Sequence, residues 1–167
     1  GMRCVDVGAG AGFPGLVLAI LRPAASFTLM DALRKRVDFL SRTAEQLGLR
    51  NVRALHLRAE DAGRQKAHRE QYDMALAWAV ASLPVLCEYC LPLLRLGGQM
   101  VAYKGPQGRE EALQAQRAYR VLGAEPPSLH NALVPGRQHV LIHAVKCMHT
   151  PTKYPRKAGL PQRQPLV

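Results

Sequence analysis

Apolar and polar positions alternate along this chain in blocks that read as strand, helix, strand, helix. The run Arg3–Val7 is short and β-prone, and Pro14–Leu21 reads as a helix closed by Pro23. Ser26–Met30 reads as the next strand. In Leu33–Leu47 the apolar positions Val37, Leu40, Ala44 and Leu47 recur at helical spacing, with Gly48 placed as a C-cap. Strands are expected over Val52–Leu57, Met74–Ala77, Gln99–Tyr103 and Gln138–Val145. Helices are expected over Leu83–Leu96, ending in Gly97-Gly98, and over Glu110–Leu122, ending at Gly123. Repeated βα units imply an α/β fold, with a mostly parallel sheet carrying helices on both faces. The last two strands are expected to form an antiparallel, hairpin-like edge. No internal repeat is present.

Beyond Met148 the pattern stops. The stretch TPTKYPRKAGLPQRQPLV holds four prolines and four basic residues and few apolar ones. It reads as a flexible basic tail that builds no core. The expected division is therefore a domain over 1–148 and a basic, Pro-rich tail over 149–167.

The most informative segment is Val5–Gly15, VDVGAGAGFPG. A strand ends in an acidic residue and runs into glycines at Gly8, Gly10 and Gly12, with Pro14 where a helix begins. Such a strand, glycine turn and helix start form a nucleotide-type pocket. The window Gly10–Gly15 formally fits GxGxxG, so a dinucleotide reading stays open. Three features favour S-adenosylmethionine (AdoMet). Counted from Gly8, the third fingerprint position is Phe13. Asp6 suits a cationic amino-acid moiety better than a pyrophosphate. Asp31, ending the run Phe27–Met30, is placed to accept from ribose hydroxyls. No Walker lysine follows, which removes a P-loop.

Net charge changes the picture next. At +11 over 167 residues the chain favours a polyanionic partner, nucleic acid first. Arg34, Lys35, Arg36 and Arg42 form one basic run, and Lys146, Lys153, Arg156, Lys157 and Arg163 another without an acid among them. No apolar run of membrane-spanning length and no signal peptide is read, so no membrane partner and a cytoplasmic location are expected. The four cysteines give no disulfide framework. Cys87-Glu88-Tyr89-Cys90 is a lone CxxC inside an apolar helix, and no metal is expected.

The runs DVGAGAGFPG, LMDALRKRVDFL, LRAED, AVASL, YKG and YPRKAGLPQRQPL, in that order, resemble the bacterial small-subunit ribosomal RNA guanine-N7 methyltransferases, the glucose-inhibited division protein B family. The resemblance implies a class I AdoMet-dependent methyltransferase fold, AdoMet as cofactor, and small-subunit ribosomal RNA or the ribosomal subunit as partner. It implies AdoMet contacts at Gly8, Phe13 and the pair Ala59-Glu60. With Asp31 and Trp78 these make the expected cofactor set. The bland reading of Glu60-Asp61 is a solvated helix start. Lys35, Arg36, Lys104, Arg156, Lys157 and Arg163 are the expected RNA contacts, and the chain is expected to act as a monomer.

Two departures from the family stand out. A Ser-Arg-Ala motif after the fourth strand is replaced by Ala77-Trp78-Ala79, which puts the only Trp where the family has a cation. The family's N-terminal helical segment is missing ahead of the first strand. The chain lacks an Asn/Asp-Pro-Pro-Tyr/Phe motif after the fourth strand and a Pro-Cys loop, which disfavours amino-group and covalent C5-pyrimidine methylation. Two other readings remain: an AdoMet-binding RNA-binding or assembly module without activity, and a small-molecule methyltransferase.

Overall fold

A computed structural model describes residues 1–134 and 137–167. Seven strands form one sheet: β1 (Arg3–Val7), β2 (Ser26–Asp31), β3 (Val52–His56), β4 (Tyr72–Trp78), β5 (Leu94–Lys104), β6 (Ser128–Val134) and β7 (Arg137–Val145). Their order is β3-β2-β1-β4-β5-β7-β6. The first five run parallel, and β7 pairs antiparallel with both β5 and β6.

Helices α1 (Gly15–Leu21) and α2 (Arg34–Gln46) cover one face of the sheet. Leu16, Ala19, Leu40 and Ala44 there meet Phe27, Leu29 and Leu76. On the other face lie α3 (Ala59–Ala62), α4 (Leu83–Cys90), α5 (Gly108–Gln114) and α6 (Gln116–Leu122). Their buried residues close a larger core with Val5, Val7, Ala75, Ala77, Met100, Ala102 and Ile142. The period-2 alternation along β4 explains both faces. Leu76 points to the first core, Ala77 to the second, and Trp78 back to the first side, where no helix covers it.

The expected helix over Leu83–Leu96 is shorter than its apolar pattern. It ends at Cys90, passes through a 3-10 turn at Leu91–Leu93, and enters β5 at Leu94. Pro92 cannot continue an α-helical hydrogen-bond ladder; beyond it Leu93 and Leu94 are buried as turn and strand residues, while Leu96 is exposed. Gly97 (φ +75°) and Gly98 lie within β5, at an irregularity in its pairing with β4. The single helix expected over Glu110–Leu122 is two, α5 and α6, divided at Ala115. Strand β6 was not expected; Pro126-Pro127 before it and the polar His130-Asn131 pair inside it hide its alternation.

The flexible tail expected over 149–167 is corrected. Pro155, Pro161 and Leu166 are buried, and the short helix α7 (Leu160–Arg163) packs near α4. Arg69 donates to the carbonyls of Thr150 (2.6 Å) and Tyr154 (2.7 Å), and Arg64 Nε to that of Pro155 (2.9 Å). Thr150 is itself buried, its hydroxyl beside Lys146 Nζ at 2.6 Å. Prolines with few apolar neighbours in sequence still seal onto a core when the partners are supplied by distant helices. Among the described residues, no helix is long and apolar enough to cross a membrane.

Candidate functional site

The strand order reverses between β1 and β4, and the loops leaving their carboxyl ends lie side by side. Open parallel sheets hold ligands in this crevice. Contact between the two loops is tight. A Cβ on Gly8, which has φ +71°, would come within 2.7 Å of the Val80 side chain. Gly8 is therefore required twice, by conformation and by space. It stands on the ridge between two clefts.

The narrower cleft, about 170 Å³, is lined by Val7, Gly8, Met30, Asp31, Ala32, Leu57, Arg58, Ala59, Glu60, Val80, Ala81, Tyr89 and Gln162. Four expected cofactor residues meet here: Gly8, Asp31, Ala59 and Glu60. Glu60 starts α3 as expected of a helix-start acid, yet it is only 3% exposed, so the solvated reading is corrected. Its Oε1 accepts from the backbone N–H of Gly159 at 2.9 Å. The phenol of Tyr89 is pushed up to about 12, first by burial and then by the negative charge of Glu60.

The wider cleft, about 740 Å³, is lined by Gly8, Ala9, Gly10, Ala11, Phe13, Lys35, Arg36, Phe39, Arg42, Trp78 and Ala79. It collects the remaining expected cofactor residues, Phe13 and Trp78, together with the expected RNA contacts Lys35 and Arg36. Trp78 is 43% exposed and is held on two sides, edge-on by Phe13 (ring centroids 6.2 Å apart) and by Tyr103 (5.0 Å). Tyr103 in turn stacks on His139 at 5.1 Å. The next residue, Ala79, has φ +56°, an uncommon conformation for a side-chain-bearing residue and a local strain at the site.

The glycine turn is organised from within. The N–H groups of Gly8 and Ala9 donate to the Met30 carbonyl, that of Gly12 to the Ala9 carbonyl, and that of Gly10 to Asp31 Oδ2 at 3.0 Å. Asp31 Oδ1 also accepts from Leu33 N, and Arg36 lies 3.5 Å from Oδ2. Asp31 thus ties β2 to the turn. Four N–H groups that a pyrophosphate would need are spent inside the protein. A Cβ on Gly10 would meet nothing closer than the Gly8 carbonyl at 3.7 Å and would project into open space. The turn therefore offers a cradle for a ligand body and few free donors for a diphosphate.

Asp6 has a different place from the one expected. It is wholly buried and lines neither cleft; its Oδ2 accepts from Gly15 N at 2.9 Å, at the start of α1. Its Oδ1 has no hydrogen-bond partner among the described residues. Burial pushes the carboxyl up to about 7, against the lowering effect of the Gly15 N–H, with Asp31 adding a further upward push.

Two expected RNA contacts are corrected. Lys104 Nζ turns inward, 2.7 Å from Glu111 and 2.9 Å from the Ala81 carbonyl, fastening the loop after β4 to α5. Arg156 is bound by its Nε and Nη2 to the buried carboxylate of Glu88, at 2.7–3.1 Å. Lys157 and Arg163 are exposed. Sequence reasoning missed Arg58, Tyr89 and Gln162 in the narrow cleft and Phe39 in the wide one. Arg42 was noticed only as part of a basic run. Gln162 carried no local signal, because its neighbours in space are about a hundred residues away. Cys87 and Cys90 are buried in α4, where burial pushes the Cys87 thiol up to about 12.

This sheet order, with a glycine turn and an acid-lined crevice at its switch point, defines a methyltransferase of the class I fold. Solved structures agree. The antibiotic-resistance methyltransferase Kmr superposes with a TM-score of 0.69 at 17% identity, over 87% of each chain. The T. Thermophilus 16S rRNA N2 G1207 methyltransferase, in complex with AdoMet and guanosine, gives 0.65 at 16% identity, over 90% of this chain and 36% of that one. The family model described as "GidB: rRNA small subunit methyltransferase G" matches residues 1–141. The Ribosomal RNA small subunit methyltransferase G of Desulforamulus reducens is 48% identical over 98% of this chain and 69% of its own length. The chain belongs to the rRNA small subunit methyltransferase G family.

Proposed function

We propose that this chain transfers a methyl group from AdoMet to N7 of a guanine in small-subunit ribosomal RNA. One observation carries the reading. The glycine turn separates a narrow, carboxylate-lined cleft from a wide, cation-lined one, so cofactor and nucleic-acid base have adjoining places. Asp31 and Glu60 suit the hydroxyl and amino donors of an adenosine, and the internally bonded turn disfavours a dinucleotide.

When bound, AdoMet supplies a methyl group activated on a sulfonium. Everything else falls to the protein. Guanine N7 offers an in-plane lone pair and no proton to remove, so no general base is required. The lining of the wide cleft agrees, with three cations and no carboxylate among the described residues. Lys35, Arg36 and Arg42 attract the phosphates beside the target. Trp78 presents a braced ring on which a purine stacks. Catalysis is then alignment and exclusion of water.

A small-molecule substrate is disfavoured because a metabolite needs no extended cationic footprint. An inactive RNA-binding module is favoured only by Trp78 at the family's Arg position. Measuring RNA affinity against salt separates the first pair, since only RNA gives a steep slope. A slope near zero contradicts the nucleic-acid reading.

A further inference from the structure

We infer that the C-terminal segment is a wall of the cofactor cleft, and that Gln162 reads the adenine of the cofactor through its side-chain amide. The inference rests on the AdoMet reading above and goes beyond it, to a residue that sequence, family resemblance and fold left without a role.

The segment is built to stay in place. Arg156 grips Glu88 with its peptide N–H (2.7 Å) as well as its guanidinium, and also donates to the Gln164 carbonyl at 2.7 Å. Pro155 packs so closely on Gly63 that a Cβ there would lie 2.7 Å from the proline ring. Between these anchors and Leu166 the chain turns at Gly159, which adopts φ +79°. That turn gives its N–H to Glu60 Oε1 and starts α7. One carboxylate thus serves both the segment and the narrow cleft.

One turn later Gln162, an exposed residue, lines the same cleft as Gly8, Asp31, Ala59, Glu60 and Tyr89. The chemistry is specific. An adenine edge presents an amino donor next to a ring-nitrogen acceptor, and a glutamine amide offers the complementary acceptor and donor. The neighbouring carboxylates only accept; Arg58 and the Tyr89 hydroxyl also donate, but among the described lining residues Gln162 alone carries donor and acceptor side by side in one planar group.

The test uses the full chain and calorimetric titration with two probes, S-adenosylhomocysteine and its counterpart whose purine carries hydrogen in place of the 6-amino group. The second removes the amino donor and puts no other donor or acceptor in its place, so a flipped amide cannot compensate. Wild type should prefer S-adenosylhomocysteine by roughly tenfold or more. Gln162→Ala should weaken S-adenosylhomocysteine by a similar factor and shrink the preference to within about threefold. Gln162→Glu keeps size and acceptor but loses the donor, and should fall between; it reads the same question if the alanine variant is poorly folded. Failure of wild type to bind S-adenosylhomocysteine overturns the AdoMet reading, and the inference with it. Tight binding by wild type, with affinity and preference unchanged in both variants, leaves the AdoMet reading standing and overturns the role of Gln162.

Discussion

Replacing Arg156 with Ala tests whether the C-terminal segment is structure. Glu88 is fully buried in α4, and Arg156 supplies a guanidinium to it, the only one among the described residues, through Nε and Nη2, with the ion pair at 2.7 Å. Its remaining partner in the variant is the peptide N–H of residue 156. Removing one member of a buried pair costs about 3–5 kcal/mol, because the other charge stays desolvated. The Arg156 side chain keeps 20% exposure, so water reaches the gap and the lower end applies, about 3 kcal/mol. For a domain of this size that lowers Tm by roughly 6–12 °C. Urea unfolding followed by circular dichroism reads it directly. Adding Glu88→Gln to Arg156→Ala should restore part of the loss, since the orphan is then neutral. Lys157→Ala and Arg163→Ala, on exposed positions of the same segment, should change stability by less than about 0.5 kcal/mol. A loss below about 1 kcal/mol in Arg156→Ala would refute the anchoring argument.

Gly10→Val should abolish binding of S-adenosylhomocysteine while the domain stays folded, because at φ +56° the branched side chain strains the glycine turn that separates the two clefts and blocks the backbone surface on which the cofactor body lies; unchanged affinity in a folded variant contradicts the cradle. Trp78→Arg restores the cation of the family at an exposed position, and its planar guanidinium still offers the purine a stacking surface, so methyl transfer should rise several-fold, at a stability cost of about 1–2 kcal/mol from the lost aromatic pairs; an inactive and strongly destabilised variant contradicts it. Asp6 holds its proton up to about pH 7 in the folded chain, against 3.8 for an ordinary carboxyl, so its contribution to stability falls as pH rises from about 4 to 7. Asp6→Asn removes that slope, and the variant should gain on wild type across this window by at most about 4 kcal/mol; a pH-independent difference sinks the argument.

Much of the fold was written locally. The run Arg3–Val7, the glycine turn and the spacing of Val37, Leu40 and Ala44 each mark an element through neighbours within a few positions. The narrow cleft was legible for the same reason, since Asp31 and Ala59-Glu60 stand at strand ends. What the chain concealed depends on distant partners. Lys104 looks like a surface cation until Glu111 is brought beside it, and Arg156 until Glu88, 68 residues away, is buried under it. Asp6 invites a ligand role on sequence alone. Only the placing of the first residue of α1 beside β1 shows that its partner is Gly15 N. The leucines after Pro92 have helical spacing as well as strand character, and only the pairing of β4 with β5 decides between them.

The central claim is most directly tested by incubating the chain with AdoMet labelled in its methyl group and small-subunit ribosomal RNA, then digesting the RNA to nucleosides. The account predicts label in 7-methylguanosine, with the yield falling as salt rises and lost in Gly10→Val. Label in any other nucleoside, or none on RNA that the chain demonstrably binds, would contradict it.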